Sequence, residues 1–131
     1  MIGVDTNVLV RYLTQDDASQ ARRSGEMIER AEAGGDAARV DVVVLCELVW
    51  VLRSAYRYRK DAIVGSLEQI LSTAAFSFEN RDLLRVAVDA YREGAGDFAD
   101  YVIGLRNARA GCDHTVTLDR ALRGERQFVV L

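Results

Sequence analysis

Residues 1–13 read MIGVDTNVLVRYL, and the stretch Val4-Asp5-Thr6-Asn7-Val8-Leu9 inside them decides the fold. A short apolar run stops on a carboxylate and two polar residues, then turns apolar again at the helical spacing of Val8, Leu9, Tyr12 and Leu13. A buried strand that ends on an acid and passes straight into a helix is how an α/β protein delivers a carboxylate to the carboxyl edge of its sheet. Asp5 is therefore the first candidate catalytic residue.

The chain repeats this alternation. Asp16-Asp17 can cap a helix running to about Ala33, with Ala21, Ile28 and Ala31 on one face and Gly34-Gly35 at its end. Residues 38–45, ARVDVVVL, are predicted as the second strand, which runs on as CELVWVLRSAY, too long for a strand and better read as a helix with Glu47 in its first turns. DAIVGSLEQILS (61–72) is an amphipathic helix behind Asp61 as a possible cap, and FSFE (76–79) a short strand. From Asn80 a helix repeats Leu84, Ala87, Val88 and Tyr91, and Gly94-Ala95-Gly96 stops it. A further helix starts at Asp97 and ends by Gly111, HTVTL (114–118) is a β-branched strand ending on Asp119, and a short helix and FVVL (128–131) follow.

Strands alternating with helices imply a mostly parallel sheet of four to five short strands, joined by right-handed crossovers, in a three-layer α/β/α sandwich. The 131 residues contain no proline, repeat or low-complexity tract that would mark an internal boundary, so residues 1–131 read as a single domain. Half the residues are apolar, enough for one packed core. A net charge of −3 argues against a generally basic nucleic-acid coat, so contact with a phosphate backbone needs a local patch or metal ions. Cys46 and Cys112 have neither a CxxC spacing nor nearby histidines, which leaves zinc without ligands and the thiols reduced. No apolar run approaches the roughly 20 residues that cross a bilayer, and residues 1–4 read as a strand rather than a signal segment, so the expected location is the cytoplasm.

Asp5 and Asp119 each end a strand, and in a parallel sheet all carboxyl ends lie together. Glu47 and Asp100 join them by the same logic, each near the start of a helix leaving the sheet. Asp97 lies one turn before Asp100 and shares its helix end, whose dipole tolerates negative charge. Carboxylates so gathered repel one another unless a divalent cation sits among them, and oxygen donors with room for water select Mg²⁺ or Mn²⁺. Metal-dependent phosphodiester hydrolysis is the chemistry that follows. Each acid also has a plainer reading: Asp119 can cap the last short helix and Asp97 can be an N-cap. Glu47 resists dismissal because it interrupts VVVLCELVWVL, where an unpaired buried charge would cost several kcal/mol.

IGVDTNVLVRYL, VVLCELVWVL, DFADYVIGL and GCDHTVTLDRAL, in that order, resemble the four signature blocks of the PIN domain, specifically the VapC-type toxin ribonucleases of bacterial toxin–antitoxin pairs. The resemblance covers essentially the whole chain. It implies that Asp5, Glu47, Asp100 and Asp119 form an acidic metal site with Asp97 as accessory acid. It also implies that Thr6, Asn7 and Thr117 are polar supports, and that RNA is cut with Mg²⁺ or Mn²⁺. A cognate antitoxin protein and a homodimer follow from the same resemblance. Asp41 departs from the pattern, which often has a small hydroxyl residue there.

RSAYRYRKD (53–61) interleaves Arg53, Arg57, Arg59 and Lys60 with Tyr56 and Tyr58, which suits either RNA contact or a solvated helix end whose cations complement the dipole. Trp50 reads as core or dimer interface. His114 has no partner for a nucleophilic triad. A phosphoaspartate enzyme would want a second aspartate where Asn7 stands and a lysine near a strand end, which Lys60 is not. The non-enzymatic alternative is a catalytically silent PIN-like module that binds a partner protein or nucleic acid without cutting it.

Overall fold

A computed structural model describes all 131 residues, which divide into two compact units, Met1–Arg81 and Asp82–Leu131. In the first unit, β1 (Ile2–Gly3) leads into α1 (Thr6–Thr14) and α2 (Ala18–Ala33). β2 (Ala38–Arg39) leads into α3 (Val42–Ser54) and α4 (Lys60–Ser72), and β3 (Phe76–Ser77) closes the unit. The strands form one parallel sheet in the order β1-β2-β3, with Ile2 opposite Ala38 and Ala38 opposite Phe76. Helix α1 packs on α2 and α3, and α3 on α4. Leu9, Leu45, Leu48, Leu52, Ile63, Leu67 and Ile70 are fully buried in this unit.

The second unit contains α5 (whose residues run Arg81–Glu93), α6 (Phe98–Arg109), β4 (Thr115–Thr117) and β5 (Phe128–Val130), with a 3-10 turn at Arg120–Leu122. Strands β4 and β5 pair in parallel, Thr115 opposite Phe128 and Thr117 opposite Val130. Tyr91 of α5 meets Phe98 of α6 edge-on at 6.2 Å. The architecture is α/β with short strands paired in parallel, as the alternating pattern implied. No helix is long and apolar enough to cross a membrane.

Most boundaries follow local chemistry. Asp17 caps α2, accepting from the Gln20 N–H at 2.9 Å, and Gly34 ends it. The buried stripe of α5 is Leu84, Ala87, Val88 and Tyr91, the four expected residues.

Three expectations are corrected. The second strand does not run to residue 45: it stops at Arg39, and Val42–Val44 are helical. Asp41 is the reason, because its Oδ1 accepts the Val43 N–H at 2.8 Å and starts α3, while Leu45, Leu48, Val49 and Leu52 bury one face. Capping and burial outweigh the modest helix penalty of three valines. Asp41 thereby acquires a role that its sequence position left open. Asp61 does not cap α4: Arg59 holds that position, and Asp61 sits in the first turn, accepting from the Ala62 N–H. Trp50 is not core, being 63 % exposed.

One surface network joins the far ends of α1 and α3. Arg11 Nη1 donates to both oxygens of Asp16, at 2.9 and 3.0 Å, and to the Tyr56 hydroxyl at 2.7 Å, while that hydroxyl donates to Asp16 Oδ2 at 2.7 Å. The hydroxyls of Tyr56 and Thr14, followed by Arg11, pull the Asp16 carboxyl down to about 2. A carboxyl depressed in the folded state stabilises above its unfolded value, here 3.8, and that contribution disappears as pH falls through about 2. Thermal midpoints recorded between pH 6 and pH 2 should therefore fall less steeply for Tyr56→Phe than for the wild type; superimposable slopes would show the network to be without consequence for stability.

Candidate active site

In the first unit the site begins where the chain leaves the sheet. The Val4 N–H still bonds the Arg39 carbonyl, at 3.0 Å, and the next residue, Asp5, has extended backbone and caps α1. Its Oδ1 accepts the Thr6 N–H at 2.8 Å, so the helix end holds the carboxylate and its dipole favours the charge. Thr6 is buried, and its hydroxyl donates to Glu47 Oε2 at 2.5 Å. A hydroxyl bonding an ionised carboxylate at this distance is a strong, orienting contact. It ties the first residue of α1 to the second turn of α3, 41 positions away, and brings Glu47 beside the residue that follows Asp5.

Glu47 is exposed, not buried as its apolar surroundings in sequence suggested. The helical period explains this: Val43, Glu47 and Trp50 share the exposed side of α3, opposite the leucines. Asp5 and Asn7 are exposed as well. Asp5 and Glu47 thus offer carboxylate oxygens to solvent, each with one oxygen steadied by Thr6, and an all-oxygen donor set of this kind suits a hard divalent cation.

The second unit holds the remaining acids. Asp97 is the N-cap of α6, and its N–H donates to Asp100 Oδ2 at 2.8 Å in a capping box, the plainer of the two readings of this pair. Asp119 follows β4 and caps the 3-10 turn, its Oδ1 accepting from the Ala121 N–H at 2.9 Å. Thr117 Oγ1 accepts the Asp119 N–H at 3.1 Å. Asn107 Nδ2 donates to Thr115 Oγ1 at 3.0 Å and ties α6 to β4. Within neither unit do three or more His, Cys, Asp or Glu side chains gather as a metal-holding group.

Sequence reading missed the residues that hold α6 in place. The Tyr101 hydroxyl accepts from the Gly96 N–H at 3.1 Å and donates to Glu125 Oε1 at 3.0 Å, pinning the turn immediately before Asp97. Burial, and after it Glu125, raises the tyrosine pKa and keeps the phenol neutral. Gly94 leaves room for that hydroxyl, which a Cβ there would meet at 1.9 Å. Gly104 admits the Phe128 ring, 2.9 Å from where a Cβ would stand. The signal was present in Gly94-x-Gly96 and in an aromatic hydroxyl on a helix face, but the partner lies 24 residues downstream.

Comparison with known proteins agrees with the resemblance. The family model of the PIN domain matches residues 2–123, a span that runs through both units. The chain is 24 % identical over 120 residues to a VapC ribonuclease of Aquifex aeolicus (strain VF5), covering 92 % of this chain and 88 % of that protein. With short parallel strands, six helices and a match over nearly its whole length, the chain belongs to the PIN domain family.

Proposed function

We propose that this protein is a metal-dependent endoribonuclease, the toxin of a toxin–antitoxin pair. The observation that carries the reading is the Thr6–Glu47 hydrogen bond, because it gives two carboxylates distant in sequence a common anchor at the carboxyl edge of the sheet. PIN family membership and the name of the Aquifex relative support the ribonuclease class. In this reading Asp5, Glu47, Asp100 and Asp119 are the catalytic acids and hold Mg²⁺ or Mn²⁺, with Asp97 accessory and Thr6, Asn7 and Thr117 supporting. Residues 1–131 act as one domain, as the unbroken family match supports.

The carboxylates alone would repel a phosphodiester, so their work is to hold positive charge where the scissile phosphate lies. When bound, a divalent ion supplies an acidified water and neutralises charge developing on the phosphate. Thr6 aims Glu47 by donating its hydroxyl proton to Oε2, and the Thr6 N–H at the α1 N-terminus orients Asp5 in the same way. Thr117 fixes the backbone from which Asp119 projects.

An antitoxin protein as inhibitor, a homodimer and a cytoplasmic location complete the proposal. The test is cleavage of a pool of labelled structured RNAs by the purified protein, free of any partner, with Mg²⁺ or Mn²⁺ and again with excess chelator. Cutting that chelator abolishes is the expected result; silence under both conditions, together with no metal binding by calorimetry, would favour the binding-module alternative.

A further inference from the structure

The turn joining α3 to α4 is the most concentrated basic segment of an acidic chain. Residues 53–60 contain Arg53, Arg57, Arg59 and Lys60, four of the chain's 17 basic residues and none of its 20 acids. All four are exposed. Arg57 and Arg59 enter no ion pair, so their charge is not neutralised within the protein.

A frayed helix end would explain such residues as solvated charge, but this turn is built. The Tyr56 hydroxyl is engaged by Asp16 and Arg11, the Tyr58 N–H donates to the Leu52 carbonyl at 2.9 Å, and the two tyrosine rings meet edge-on at 6.2 Å. Between them Arg57 adopts φ 55°, in the left-handed region that a long side chain seldom occupies. Such a conformation persists only where neighbouring contacts over-determine it, and it is concentrated at functional positions. Tyr56 therefore holds the turn, and the two guanidiniums, with the half-exposed Tyr58 ring between them, form its outward chemistry.

We propose that the α3–α4 turn is a second RNA contact, in which Arg57 and Arg59 pair with backbone phosphates away from the cut; it rests on the ribonuclease reading of Asp5 and Glu47. Free guanidiniums on a pre-ordered turn match phosphate geometry, and in a chain of net charge −3 a cluster of four cations free of acids is a local site of attraction for a phosphate backbone. Helix α3 sets the spacing: from Glu47 to its end at Ser54 the axis advances about 10 Å at ~1.5 Å per residue. That is about three phosphates of a stacked strand at ~3.4 Å each. The preferred substrate accordingly extends several nucleotides to one side of the scissile bond.

The test compares the full-length protein with the double variant Arg57→Asn/Arg59→Gln, asparagine being chosen because it tolerates the left-handed backbone. Binding of a labelled RNA of about 20 nucleotides is followed across a salt series in an Asp5→Asn background, and cleavage is followed in the wild-type background. With two phosphate contacts gone, the slope of log Kobs against log salt should shallow by about 1.4, and KM for the long RNA should rise about tenfold with kcat unchanged. A dinucleotide, whose single phosphate is the one being cut and which therefore spans none of the roughly 10 Å to the turn, should be cut equally by both proteins. If the wild type cuts RNA and the double variant matches it in slope and KM, or loses kcat with KM unchanged, the second contact is refuted while the nuclease stands. A wild type that neither binds nor cuts RNA refutes both.

Discussion

Asp5→Asn is expected to lower RNA cleavage by at least about 100-fold, the scale of losing one group that stabilises charge in a transition state. The protein should remain folded, with a thermal midpoint equal to or slightly above that of the wild type. Asparagine is as good an N-cap as aspartate, so the bond from the Thr6 N–H survives the change. Removing one negative charge beside Glu47 relieves repulsion in the metal-free protein. Asp5→Ala separates the two roles, since it removes the cap as well and should cost about 1 kcal/mol of stability in addition to activity. Cleavage rates and thermal scans on the three proteins decide the matter: unfolding of Asp5→Asn would move Asp5 from chemistry to structure, and undiminished cleavage would remove it from the site.

Phe76→Ala should destabilise the protein by about 3–5 kcal/mol, the cost of deleting a fully buried phenyl ring. Phe76 is 1 % exposed, pairs with Ala38 in the sheet and receives the edge of Tyr12 at 5.9 Å, 88° between planes. Its carbonyl also accepts from Arg81 Nη2 at 2.5 Å, and Arg81 Nη1 donates to the Leu71 carbonyl, so the end of α4 and strand β3 are fastened together at this point. The ring thus links the sheet to α1, the helix whose first residues present Asp5 and Thr6. Urea titration is the measurement. Phe76→Leu, which refills most of the volume, should recover most of the loss; a loss below about 1 kcal/mol for Phe76→Ala would mean that the site collapses to fill the cavity.

Much of the architecture was legible because its causes are local. Asp17 before an alternating run, Gly34 after it, and Leu84, Ala87, Val88 and Tyr91 at helical spacing each act within about four residues, and all appear where the pattern placed them. Asp5 was legible for the same reason, as an acid at the junction of a strand and a helix. Glu47 was placed near that junction by its position early in a helix leaving the sheet, whereas the burial argued from its apolar surroundings was wrong, since those residues face the other side of α3. A valine run has the composition of a strand, and only the capping bond of Asp41 and the burial of Leu45 and Leu48 make it a helix.

The sequence by itself determined the α/β class, the order of strands and helices and the set of candidate acids, because periodicity and caps are written into neighbouring residues. The tertiary structure alone decided that Thr6 bonds Glu47 across 41 positions, that Tyr56 reaches Asp16 across 40, and that Tyr101 reaches Glu125 across 24. A hydroxyl needs only one partner within about 3 Å, and many distant carboxylates satisfy that need equally well on paper. Packing of the helices on the short parallel strands selects among them.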